Sequence, residues 1–265
     1  MTSANVGVGV SMLKEEILEA WRRNETGESV DIGVLDKFLE ALNAGEVRAA
    51  EEKNGEWITN EWVKKGILLN FSVRENRKLV YGDVAYHDKF ELKDTSDFLE
   101  KGTRNTPDGT VVRDGAYIGD SVIMMSPSFV NVGAYVGDGT LVDSCDTIGS
   151  CAQIGVLEPV EDSPVIIEDG VSIGGGSKIT SGFVVGEDSV IAENTLLNPS
   201  IPIFDFVEDE IIYGRIPPRR RVMQRFVESS IEGFGENFYK PAAVATSLGD
   251  ETLEKTRKEE RLRQQ

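Results

Sequence analysis

The sequence predicts a mainly β protein: a parallel β-helix of hexapeptide repeats, with an α/β domain before it and a short α/β extension after it. Three observations predict this. From Val112 an aliphatic side chain returns every six residues, at Val112, Ile118, Met124, Val130, Val136, Val142, Ile148 and Ile154. Four residues after most of these stands a small or β-branched residue: Val122, Ser128, Ala134, Thr140 and Ala152. The first hundred residues show helix spacing instead. If about a quarter of residues are aliphatic, eight such hits in succession by chance come to roughly one in 10⁵, so the period is a fold signal. Each hexad then supplies one short strand and a turn, and three hexads complete one coil. The aliphatic points into the coil, and covering coils let each contribute about 1.5–3 kcal/mol.

The N-terminal domain is expected over 1–103. Ser11 can cap a helix carrying Leu13, Ile17, Leu18 and Trp21, and Asp31 a second one with Leu35, Phe38, Leu39 and Leu42 on one face and Gly45 beyond its end. "EVRAAEEKNGEWIT" holds two strand-like runs around Asn54-Gly55, a hairpin signal. "NEWVKKGILLNFSV" reads as a helix leading into a strand, and the turn-rich "KDTSDFLEKGTRNTPDG" marks the boundary.

The β-helix is expected over 104–204. A second run, Ile167, Ile173, Ile179, Val185, Ile191, Leu197 and Ile203, keeps the step of six in a shifted frame. The gap from Ile154 to Ile167 is one residue longer than two hexads and contains "VLEPVEDSP". It either recruits that segment as wall, rotating later coils by one face, or is distorted. Both would displace later residues relative to earlier ones. Over 205–265 the pattern fades into a hairpin or strand, a Pro-Pro break, a basic segment and a charged terminal helix.

Bulk properties narrow the function. The 265 residues carry a net charge of −18, which argues against nucleic acid or an anionic membrane as partner. A soluble acidic enzyme and an adaptation to high salt both fit. The start of the chain lacks the pattern of a secretory signal, no run is apolar enough to span a membrane, and two cysteines make no disulfide framework. A cytoplasmic protein is expected, with Cys145 and Cys151 packing adjacent walls.

At "MMSPSFVNVGAYVGDGTLVDSCDTIGSCAQIG", "GVLEPVEDSPVIIED", "YGRIP" and "LEALNAGEVRAAEEKNGEWITNEWVKKGILLNF" the chain resembles the tetrahydrodipicolinate N-succinyltransferase family of the diaminopimelate route to lysine. The resemblance covers most of 30–218. It implies a left-handed coil, a homotrimer, and succinyl-CoA bound as co-substrate between subunits, with no permanently held cofactor and no metal. It matches Asp143 in "LVDSC" to a family Asp that contacts the amino-dicarboxylate, and Arg104 in "KGTRNTPDG" to an arginine that binds a substrate carboxylate.

The residues themselves permit these roles. Asp143 stands one place after an inward aliphatic, where Gly119, Gly137 and Gly149 mark turns. A carboxylate there can orient or deprotonate an amine, or simply stabilise its own turn. The Arg104 guanidinium suits a carboxylate. Gly174, Gly175 and Gly176 let a pantetheine arm lie close to strand amides, or allow tight packing. Arg215, Arg219, Arg220, Arg221 and Arg225 form either a cationic patch for CoA phosphates or a cluster paired with nearby acids; only Arg215 lies within "YGRIP". Candidate co-substrate contacts are therefore Gly175, Lys178 and Arg215.

Three departures from the family stand out. Gly155 runs directly into Val156 where the family usually has about two more hexads. Lys178 occupies the hexad in which bacterial members carry a catalytic Glu. Asp146 sits at a corner position, turned outward, hydrogen-bonded, or paired with Asp143. The leading expectation is N-succinyl transfer from succinyl-CoA to ring-opened tetrahydrodipicolinate. An acetyl donor, or a non-catalytic trimeric scaffold, are the alternatives. A zinc carbonic anhydrase of this coil type needs several histidines, and the chain has one, His87.

Overall fold

The computed structural model describes residues 3–53, 56–107, 109–145, 147–148, 165–180, 182–231, 235–250 and 254. Ile154, Asp146, Cys151, Asn54-Gly55, "VLEPVEDSP" and nearly all of the charged tail lie outside them. The protein is mainly β, with three helices and three stacks of parallel strands among the described residues.

Helix α1 (Ser3–Glu25) extends upstream of Ser11, which is mid-helix and caps nothing. Helix α2 (Ile32–Asn43) begins as expected: the Asp31 carboxylate accepts the Gly33 N–H, and Gly45 follows the helix at φ 71°. Strands β1 (Ala50–Lys53) and β2 (Glu56–Thr59) pair antiparallel. Helix α3 (Glu61–Val73) takes up "EWVKKGILLNFSV" whole, and the strands β3 (Arg77–Tyr81) and β4 (Val84–Asp88) come only afterwards.

Beyond this the chain visits three walls in turn. Wall 1 holds Arg104–Asn105, Ile123–Met124, Leu141–Val142, Ser172–Ile173 and Val190–Ile191. Wall 2 holds Thr110–Val112, Ser128–Val130, Thr147–Ile148, Lys178–Ile179 and Leu196–Leu197. Wall 3 holds Tyr117–Ile118, Tyr135–Val136, Ile166–Ile167, Val184–Val185 and Arg215–Ile216. The six-residue aliphatics face inward: Ile118, Met124, Val130, Val136, Val142, Ile167, Val185 and Leu197 are all buried in one cluster.

The irregular gap does not rotate the coil. Val136 pairs directly with Ile167, Leu141 with Ser172, and Val142 with Ile173. The expected displacement of later residues is therefore not observed. Strand Thr147–Ile148 lies on wall 2 before the gap and Ile166–Ile167 on wall 3 after it, and the ladder resumes in register.

The N-terminal helices dock at the edge between walls 2 and 3. Val132, at a wall 2–3 corner, is buried within the helical core. Gly133 (φ 79°) lies so close to Ile67 that an added Cβ would fall 2.5 Å from its Cδ1. Asn43 ties the end of α2 to the coil, donating to Asp114 and accepting from Lys93 Nζ and the Gly115 N–H.

The ladder also continues past residue 204. After the hairpin Ile203–Asp205 and Glu210–Ile212, the long strand Arg220–Ile231 joins wall 1 beside Val190–Ile191 and turns back as Gly235–Ser247. Ala243 and Ala245 close the core.

Candidate active site

The site residues are placed by strand alternation on wall 1. Met124, Val142, Ile173, Ile191 and Val222 point inward and are buried, so by strand alternation the residues on either side of them point away from the coil interior, Ile123, Leu141 and Ser172 included although these are buried. Register then defines two outward rows running along the coil. One contains Arg104, Ile123, Leu141, Ser172, Val190 and Arg221. The other, two residues further along each strand, contains Thr106, Met125, Asp143, Gly174, Ala192 and Met223.

Asp143 thus stands at the edge where wall 1 turns into wall 2. It is half-buried, and its Oδ1 accepts the Ser144 N–H at 2.8 Å. The Ser144 hydroxyl in turn donates to the Ser126 carbonyl at 2.7 Å, and its carbonyl accepts the Gly176 N–H at 3.0 Å. The carboxylate is therefore fixed to a turn that is itself fastened to the coils on both sides. Turn stabilisation and outward presentation occur together.

Gly175 belongs to the same corner. A Cβ there would meet the Ser144 carbonyl oxygen at 2.9 Å and the Asp143 carboxyl carbon at 4.0 Å. Its N–H makes no hydrogen bond among the described residues. Gly176 needs its positive φ of 79° to turn the corner. Lys178 follows on wall 2, exposed, pairing in register with Thr147. Arg104 is exposed on wall 1, two strands below Asp143. That separation, with two residues of stagger, puts their backbones about 12 Å apart.

Arg215 is not with them. It is exposed on wall 3, in register with Val184. The five arginines do not form one patch. Arg220 points inward and is buried, its Nε 3.1 Å from both oxygens of the fully buried Asp205 carboxylate, with its guanidinium also reaching Glu208. Arg219 pairs with Asp250. Arg221 and Arg225 share the outer face of one strand with Met223 and make no ion pair among the described residues.

The sequence did not single out the row itself. Met125, Ala192 and Met223 became visible only through register. The available signal was their place, one residue after each inward aliphatic, the same place that distinguishes Asp143. Cys145, next to this corner, is a free exposed thiol at φ 66°.

Residues 12–73 match the family model described as tetrahydrodipicolinate N-succinyltransferase N-terminal. Curated relatives carrying the name 2,3,4,5-tetrahydropyridine-2,6-dicarboxylate N-succinyltransferase include the following three. The protein of Dechloromonas aromatica is 38% identical over 227 residues, covering 78% of this chain and 83% of the relative. That of Sodalis glossinidius is 40% identical over 200 residues, 69% of this chain and 72% of the relative. That of Polynucleobacter asymbioticus is 36% identical over 279 residues, 96% of this chain and 100% of the relative.

Proposed function

The chain belongs to the 2,3,4,5-tetrahydropyridine-2,6-dicarboxylate N-succinyltransferase family, and from that membership we propose how its own residues carry out the transfer. It is an N-acyltransferase that moves a succinyl group from succinyl-CoA to the amino group of ring-opened tetrahydrodipicolinate, a step of diaminopimelate and lysine biosynthesis. The observation that carries the site assignment is Asp143, an outward carboxylate heading a row of small and apolar residues, Gly174, Ala192 and Met223, along wall 1.

In the reading proposed here, the acceptor amine lies against the Asp143 carboxylate. Its nitrogen attacks the thioester carbonyl carbon. The new C–N bond forms, the C–S bond breaks, and the amine proton passes by way of Asp143 to the departing thiolate. The Gly175 N–H supports the oxyanion, in the manner of preorganised backbone donors. The Arg104 guanidinium holds a carboxylate of the acceptor. The pantetheine arm runs over Gly174 and Ala192, where a larger side chain would block it. Lys178, beyond the Gly175 corner, adds a cation facing the acyl or phosphate groups.

The rest of the assembly follows the same reading. The coil over 104–204 is left-handed and carries the site, the domain over 1–103 braces its first turns, and the extension over 205–265 closes its end. Three copies form a homotrimer whose seams complete the sites, and Arg215 on wall 3 reaches co-substrate only across such a seam. The reaction belongs in the cytoplasm, where acyl-CoA is made and a thiol such as Cys145 stays reduced.

The deciding experiment measures free thiol released from succinyl-CoA with and without a tetrahydrodipicolinate acceptor. Acceptor-dependent release is expected, and Asp143→Ala should lower kcat by about 10²–10⁴. Release from acetyl-CoA alone would change the donor. No acceptor-dependent release at any salt concentration would return the protein to the scaffold reading.

A further inference from the structure

The acyl-CoA reading leaves a charge problem that the fold addresses away from Asp143. Coenzyme A ends in a diphosphate and a ribose 3′-phosphate, and this chain has a net charge of −18. Such a ligand needs a local field opposite to that of the whole protein.

The long hairpin Arg220–Ile231 and Gly235–Ser247 provides one. Because Val222 is buried on the inner face, Arg221, Met223 and Arg225 all point outward. On the returning strand Lys240 is opposite Val227, diagonal to Arg225 on the same face. Their neighbours on this face of the hairpin are Met223, Val227, Ala242 and Val244, none of them acidic. Arg225 and Lys240 are exposed, and their charged groups have no ion pair among the described residues. Arg219 and Arg220, by contrast, are held by Asp250 and Asp205.

The spacing suits the ligand. Met223 is in the Asp143 row, three strands away, about 14 Å at 4.8 Å per strand. Arg221 and Arg225 flank it by two residues on either side, so each is about 16 Å from Asp143 along the sheet. A pantetheine arm has about thirteen bonds between sulfur and phosphorus, equal to some four extended peptide residues or about 15 Å. Lys240 is one strand further out. Gln224 fixes this part of the hairpin, accepting the Leu196 N–H at 2.7 Å and donating to the Ala242 carbonyl at 2.8 Å.

We propose that Arg221 and Arg225 hold the diphosphate of the acyl-CoA and Lys240 its ribose 3′-phosphate, so that the outer face of the hairpin is the nucleotide end of the site. This rests on the acyl-CoA reading. Its test compares the full-length wild type with Arg225→Gln/Lys240→Gln, and separately Lys240→Gln, after circular dichroism establishes that each folds. The double variant is expected to raise KM for succinyl-CoA about tenfold or more, with kcat and the acceptor KM within about twofold. As product inhibitors, CoA should bind the wild type more tightly than 3′-dephospho-CoA, and Lys240→Gln should abolish that preference. An active wild type with an unchanged succinyl-CoA KM in the double variant would overturn the clamp. So would a preference for the 3′-phosphate that survives Lys240→Gln. A wild type that transfers no acyl group from any acyl-CoA would overturn the acyl-transfer reading itself.

Discussion

Gly175→Ala tests whether corner packing sets the position of the carboxylate. The added Cβ would be 2.9 Å from the Ser144 carbonyl oxygen, about 0.5 Å short of ordinary contact. The obstacle is backbone, so no side-chain rotation relieves it. The carbonyl is also held from above, because it accepts the Gly176 N–H. Either the Ser144 peptide shifts outward or the two coils separate. Asp143 moves with the peptide, since the Ser144 N–H is bonded to its Oδ1. A displacement of 1 Å at a reacting group can cost about 10² in rate, so half of that corresponds to about tenfold in kcat. Overpacking of this size costs about 1–3 kcal/mol in stability. The assay pairs steady-state thiol release with thermal unfolding. The expected result is a tenfold lower kcat, a modest fall in Tm and an unchanged KM for succinyl-CoA. Wild-type kcat and Tm together would show that the corner has slack, and the argument that its geometry positions Asp143 would fail.

Two further outcomes follow from the same reasoning about buried and half-buried groups. Asp205→Ala removes the only carboxylate in contact with the buried Nε of Arg220 among the described residues and should cost about 3–5 kcal/mol in chemical denaturation; a loss below about 1 kcal/mol would mean that Arg220 finds water or Glu208 instead. The Tyr135 phenol is pushed up to about 12, mainly by burial, so the unfolded chain releases this proton first and stability falls as pH rises from about 10 towards 12. Tyr135→Phe should flatten that part of the stability–pH curve, and an unchanged slope would assign it to other groups.

Much of this arrangement was legible because a hexad is a direct image of a wall. Counting in sixes needs no tertiary knowledge: Ile118, Val136, Ile167 and Val185 stack in one column because each was an aliphatic at the right count. Asp143 stood out for the same reason, as a carboxylate at a place where glycine recurs. Counting failed where residues other than the repeat decide the geometry. Ser11 had the chemistry of a cap, yet the helix is already formed upstream of it. Among five arginines, composition could not tell Arg220, turned to Asp205, from Arg221, turned to the outside. Only alternation fixed by the buried Val222 separates them.

The two breaks in the period fall at the same step of the coil. From Ile148 to Ile167 and from Leu197 to Ile216 the chain takes the same number of residues to pass from wall 2 to wall 3, far more than the six of a regular step. In each case the strands before and after the break keep their places on walls 2 and 3. Strands within a wall are locked by parallel ladders to the coils above and below, whereas a corner contributes few such bonds, so extra chain there costs mainly loop-closure entropy, which grows slowly with length. Asp143 and Gly175 occupy a different corner, between walls 1 and 2. The uninterrupted register Leu141↔Ser172 and Val142↔Ile173 sets their relation directly. Insertions can therefore vary on one edge of the coil while the carboxylate and the row leading to Met223 keep their spacing on another.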